Sequence, residues 1–121
     1  MPKTLIHGDV AGKNARIRTT DSEIILFPLD WETAGWASPA ADLESEVDLS
    51  TYWSVVHPFW PNLRFEDLQQ LSIYGRIFRV VQAIRWESHR LEHEWVGRPM
   101  RHFDSYHSHL ADSIRTAGWE V

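Results

Sequence analysis

The 121-residue chain contains no cysteine. That excludes a disulfide framework and thiol catalysis, and it fits a cytoplasmic protein without requiring one. No apolar run approaches the roughly 18 residues of a spanning helix, and no leader pattern opens the chain, so neither membrane insertion nor secretion is expected. Basic residues are scarce: 12 Lys and Arg stand against 17 Asp and Glu, a net charge of −5. Proteins that hold nucleic acid or an anionic membrane usually carry a basic face, so neither partner is expected, and a cationic small molecule suits the balance better. Lysine is confined to Lys3 and Lys13, and the six glycines, at 8, 12, 35, 75, 97 and 118, contain no Gly-x-Gly-x-x-Gly. A glycine-rich cover for nucleotide phosphates is therefore not written in these residues. Internal repeats and low-complexity segments are also lacking.

What is present concentrates near the start. Leu5-Ile6 ends an apolar strand of Thr4 to Ile6, and His7-Gly8-Asp9 opens a loop that closes at Asn14. Ala15 to Arg18 and Ile24 to Leu29 read as two strands around the polar turn 19–23, with Pro28 placing the second strand at an edge or near its end. A hairpin folds its ends together, so Asn14 and Asp30 are expected side by side although 16 positions separate them. Asp9, Asn14 and Asp30 then converge. Magnesium takes carboxylate and amide oxygens and neutralises transferring phosphates, which suits Asn14 and Asp30. A carboxylate shortly before the metal-binding Asn can orient a hydroxyl and accept its proton, and Asp9 stands there. Asp followed five residues later by Asn, then an Asp at a strand end, is the spacing of a kinase catalytic loop and its metal-holding Asp.

The run Leu5-Ile6-His7-Gly8-Asp9, Asn14, Leu29-Asp30-Trp31-Glu32-Thr33-Ala34-Gly35, Pro39 and Asp42-Leu43 resembles the aminoglycoside phosphotransferase and choline kinase family, the small-molecule branch of the protein-kinase-like fold. The resemblance implies an ATP-dependent phosphotransferase acting on a small-molecule hydroxyl, with Mg2+ and ATP at the site. It assigns Asp9 as catalytic base, with His7 beside it orienting the loop, and Asn14 and Asp30 as magnesium ligands. Lys13 joins these two on the nucleotide side, while Trp31 and Asp42 support the loop. Val10-Ala11-Gly12-Lys13 departs from the family's usual filler. The family's glycine-rich cover, strand lysine and helix glutamate belong to an N-terminal lobe that is not found before His7. The expectation is therefore a C-terminal catalytic portion, α+β in class, with the loop and metal-binding hairpin in 1–37 and a helical subdomain in 38–121. It is expected to be inactive alone and to pair with a missing lobe or with a second copy. The alternative is a non-catalytic remnant that binds a partner.

Three helices are expected downstream. Ser38-Pro39 is a good start for the first, as cap and first helical residue, and Pro58 and Pro61 end it. Its acids Asp42, Glu44, Glu46 and Asp48 can serve the helix dipole, or can receive amino groups of a cationic acceptor. Ala34 to Ala37 reads as loop, and Glu32 as a strand-end salt bridge rather than a second metal ligand. The second helix runs from Phe65 to about Val96, stopped by Gly97-Arg98-Pro99. Leu71, Tyr74, Phe78 and Val81 on one face, and Ile73, Ile77, Val80 and Ile84 on the other, suggest packing on both sides. Gly75 invites a close backbone. The third helix runs from Pro99 to Ala117, with Met100, Phe103, Tyr106, Leu110 and Ile114 at helical spacing. His89, His93, His102, His107 and His109 lack the metalloprotease spacing and read as surface and helix-end histidines.

Overall fold

The computed structural model describes residues 3–43, 47–92 and 97–119, with the backbone alone at 98 and 99. Over these residues the chain is α+β, with two small antiparallel sheets and three helices. Strands β1 (Thr4–Ile6) and β4 (Gly35–Ala37) pair in the register Thr4↔Ala37, Leu5↔Trp36 and Ile6↔Gly35. Strands β2 (Ala15–Thr19) and β3 (Ile24–Pro28) pair from Ala15↔Pro28 to Thr19↔Ile24. The second sheet is thus nested in the chain between the strands of the first, and the β1–β4 stem clamps both ends of the loop-and-hairpin segment. Of the 34–37 segment, expected as loop, Gly35–Ala37 instead forms β4, because the three residues of β1 need a partner for their backbone groups.

The expectation of one helix running on from Ser38 needs correction. The Ser38 hydroxyl does accept from the Ala40 N–H, but only a single 3-10 turn, Pro39–Ala41, follows. Leu43 then turns into the core at 1% exposure, and Asp42 turns back toward His7 and Gly8, which takes both out of a continuous helix. Helix α1 starts afresh at Leu49–Val56, capped by Asp48, whose carboxylate accepts from the Ser50 N–H and the Thr51 hydroxyl. Glu44 and Glu46 lie outside the described residues.

Helix α2 (Phe65–Arg90) is the central element. It packs against α1, the 39–41 turn and helix α3 (Gly97–Thr116). Leu68 is fully buried, and Ile77 and Val80 nearly so. Gly75 faces the carbonyl of Ala40 so closely that an added Cβ would lie 1.9 Å from that oxygen. Packing on both faces does not hold throughout: Phe78 and Val81 are 67% and 49% exposed, so the 71/74/78/81 face is covered only in part, where Tyr74 stacks on Trp119. The helix is assigned through Arg90, and the expected extension over 93–96 falls outside the described residues. Gly97, expected as a stop, opens α3 instead; Pro99 sits in its first turn, where backbone N–H groups have no intrahelical acceptor to lose. Buried Glu87 joins α2 to α3 through His102 Nδ1, 3.1 Å from Oε1, a contact off the hydrogen-bond axis and so ionic or polar rather than a directed hydrogen bond. Among the described residues no helix is long and apolar enough to cross a membrane.

Candidate active site

Five residues, Asp42, His7, Thr33, Gly8 and Trp31, hold the loop after β1. The Asp42 carboxylate accepts the N–H groups of His7 (2.7 Å) and Gly8 (2.8 Å), turning two otherwise orphaned donors into charge-assisted hydrogen bonds. His7, 5% exposed, uses both ring nitrogens within the fold: Nε2 donates to the Leu29 carbonyl at 2.7 Å, and Nδ1 accepts the Asp9 N–H at 3.3 Å. That fixes the Nε2–H tautomer and makes the ring a clamp between loop and hairpin. Thr33 donates its hydroxyl to the His7 carbonyl. Gly8 sits at φ +82°, and a Cβ there would stand 2.8 Å from the Thr33 carbonyl, so both conformation and space demand glycine. Trp31 packs its ring 4.7 Å from that of His7 and donates its indole N–H to the Pro28 carbonyl.

The chemistry-bearing side chains sit on this frame. Asn14, 8% exposed, closes the turn Gly12–Asn14 and donates its amide nitrogen to both the carbonyl (2.9 Å) and the Oδ2 (2.8 Å) of Asp9. With the nitrogen committed, the amide oxygen is the atom left to meet a cation. The hairpin register sets Asn14 opposite Leu29, whose N–H reaches the Asn14 carbonyl at 2.8 Å. Asp30 is the next residue, so the backbones of Asn14 and Asp30 are neighbours. Asp30 is exposed and left-handed, at φ +65°. Aspartate tolerates that region better than most residues but at a cost of about 1 kcal/mol or more, a strain that turns the chain sharply out of β3 into the 31–33 turn.

Asp9 is gripped on both oxygens. Oδ1 accepts from Arg79 Nη2 at 2.5 Å, and Oδ2 accepts from Asn14 and faces Lys13 Nζ at 3.1 Å. Partial burial works to raise its pKa, but hydrogen bonds from Lys13, Arg79 and Asn14 together prevail and hold the carboxyl below the usual aspartate range. Lys13, expected on the nucleotide side, here pairs with Asp9 through a largely exposed side chain. Arg79 is the site residue that local reading missed, because 70 positions separate it from Asp9. A signal was available: Arg79 lies one turn beyond Gly75 on the helix face that Gly75 brings against the 39–41 turn.

A cavity of about 230 Å3 lies beneath the loop, lined by His7, Asn14, Leu26, Trp31 and Asp42 among others. The donor set fits magnesium. Asn14 and Asp30 offer hard oxygens, and magnesium commonly takes one or two protein ligands and completes its shell with phosphates and water. Among the described residues no three His, Asp or Glu side chains gather into a metal-holding group. Of the histidines, His102 meets Glu87, and His107 and His109 lie on separate cavity walls. No protein-family model, curated protein or solved structure matches this chain.

Proposed function

We propose that this chain is the catalytic portion of a magnesium-dependent phosphotransferase, related to the aminoglycoside phosphotransferase and choline kinase group, that moves the γ-phosphoryl of ATP to a small-molecule hydroxyl. The observation that carries the reading is Asn14: its amide nitrogen is tied to the carbonyl and carboxylate of Asp9 while the hairpin brings Asp30 beside it. One residue pair thus couples a proton acceptor to a magnesium position. Bound magnesium would supply charge neutralisation for the phosphates, held by Asn14 and Asp30. Asp9 orients the acceptor hydroxyl. Its depressed pKa makes it a weak base, suited to accepting the proton late, as bonding to phosphorus acidifies the hydroxyl.

The experiment is a transfer assay with magnesium and ATP on a form that includes a phosphate-covering lobe, scored for phosphorylated acceptor. Asp9→Asn is expected to lower turnover by about 100-fold or more, the scale on which a positioned proton acceptor acts; turnover equal to wild type ends the proposal. The 121-residue chain by itself is expected to show no turnover. One observation favours a second reading, a non-catalytic module that binds a partner: the hairpin presents Ile17, Ile24 and Leu26 at 68%, 74% and 58% exposure. An unaltered fold with no magnesium-nucleotide binding in any form would select it.

A further inference from the structure

Helices α2 and α3 enclose a second cavity, of about 410 Å3, within the range of small-ligand sites. Its α2 wall carries Arg76 and Arg79, three residues apart and so on one face, while Tyr106, His109 and Asp112 stand on α3. Arg79 belongs to both sites, since the guanidinium that grips Asp9 also lines this cavity. The space therefore adjoins the group proposed to receive the acceptor's hydroxyl proton.

Arg76 has an unmet need. Its Nε is buried without a hydrogen-bond partner, and among the described residues its side chain forms no hydrogen bond or ion pair. Arg76 as a whole is half-buried, so the cost falls on the one shut-off Nε–H rather than on the full guanidinium, and a permanently charged planar group with that donor unmet suits an oxyanion. The carboxylate across the cavity is already engaged: Asp112 Oδ1 meets Arg115 Nη1 at 2.9 Å and faces solvent. Asp9 is held by Arg79, Lys13 and Asn14. The acids expected to receive a cationic acceptor are also committed where described, Asp42 to the loop amides and Asp48 to the start of α1. The walls ask for an anion, and the planar guanidinium favours a carboxylate.

We infer that the α2–α3 cavity is the acceptor subsite and that Arg76 binds the carboxylate of a small hydroxy acid, directing its hydroxyl toward Asp9. The carboxylate assignment stands on Arg76 and the cavity, and the role of the hydroxyl rests on the phosphotransferase reading. In the transfer, the hydroxyl oxygen bonds to the γ-phosphorus of ATP. The bond from that phosphorus to the β,γ-bridging oxygen breaks, ADP leaves with its electron pair, and the hydroxyl proton passes to Asp9.

The test needs no nucleotide. The isotope-labelled 121-residue chain is titrated with 4-hydroxybutyrate, with 1,4-butanediol as the neutral counterpart, and with inorganic phosphate, following the arginine Nε–H resonances by NMR. The expected result is a saturable shift of the Arg76 Nε–H with 4-hydroxybutyrate and none with the diol. Affinity should fall tenfold or more in Arg76→Gln and be partly kept in Arg76→Lys. No saturable shift, an equal response to the diol, or tighter binding of phosphate than of carboxylate would overturn the inference. Should Arg76→Gln fail to fold, the wild-type Arg76 resonance decides alone. Binding here with no transfer activity anywhere would sink the phosphotransferase reading but not the anion site; the converse would leave the transferase with a different acceptor.

Discussion

The His7–Asn14 loop and the β2–β3 hairpin are adjacent in sequence and built oppositely. In the loop, His7 and Asn14 are buried, and amides, ring nitrogens and carboxylates find partners from Leu29 just after β3, the 31–33 turn, Asp42 and α2. In the hairpin, the register puts Ile17, Ile24 and Leu26 on one face, and that face is open. A two-stranded ribbon with an uncovered apolar face has little stability of its own, so the hairpin relies on the His7–Leu29 and Asn14–Leu29 hydrogen bonds at its base. Polar groups, rather than apolar burial, fix the site's geometry. The apolar surface of Ile17, Ile24 and Leu26 remains exposed.

The largest effect expected from that contrast belongs to Asp42. Asp42→Ala removes the acceptor of two loop amides and should cost about 3 kcal/mol, from two charge-assisted hydrogen bonds at ~1.5 kcal/mol or more each. Urea unfolding measures it; a loss near zero would mean the loop is held by something else. A smaller effect concerns acid. The Asp9 pKa is depressed, so its ion pairs add stability that is fully present above the unfolded aspartate value of about 3.9 and is lost as pH falls through the lower folded value. The stability gap between wild type and Asp9→Asn should therefore be widest near neutrality and shrink below about pH 4. A gap independent of pH would contradict the ion pairs. The smallest effect is on the hairpin: Leu26→Thr should change stability by no more than about 0.5 kcal/mol, as exposed positions do, while weakening self-association in sedimentation at tens of micromolar (roughly the range where exposed apolar surface associates). A core-sized loss of stability there would show the face is covered within the chain.

Much of this was legible in the sequence because it is local. Two strand-like runs around the polar turn 19–23 marked the hairpin, a loop of fixed length joined Asp9 to Asn14, and helical periodicity with Gly97 and Gly118 near the boundaries marked α2 and α3. What escaped was settled by distant partners. Strand β4 exists because β1 needs a mate, and the turn at Pro39–Ala41 stops because Asp42 and Leu43 are drawn toward the loop and the core. The Arg79–Asp9 pair joins α2 to the loop across most of the chain. Gly75 signalled that a backbone would approach α2, without saying which one. The 71/74/78/81 stripe looked like core, but Phe78 remains open to solvent, since periodicity reports an apolar face and not what covers it.

The proposed reaction divides labour within the site: Asp9 would serve the acceptor hydroxyl, and Asp30 with Asn14 the metal. A calorimetric titration of magnesium-ATP into Asp9→Asn and Asp30→Asn, in a form with a phosphate-covering lobe, tests it most directly. Near wild-type affinity is expected for Asp9→Asn and a loss of about tenfold or more for Asp30→Asn, which would give up a charged magnesium ligand. Undiminished binding by Asp30→Asn, or a loss confined to Asp9→Asn, would contradict it.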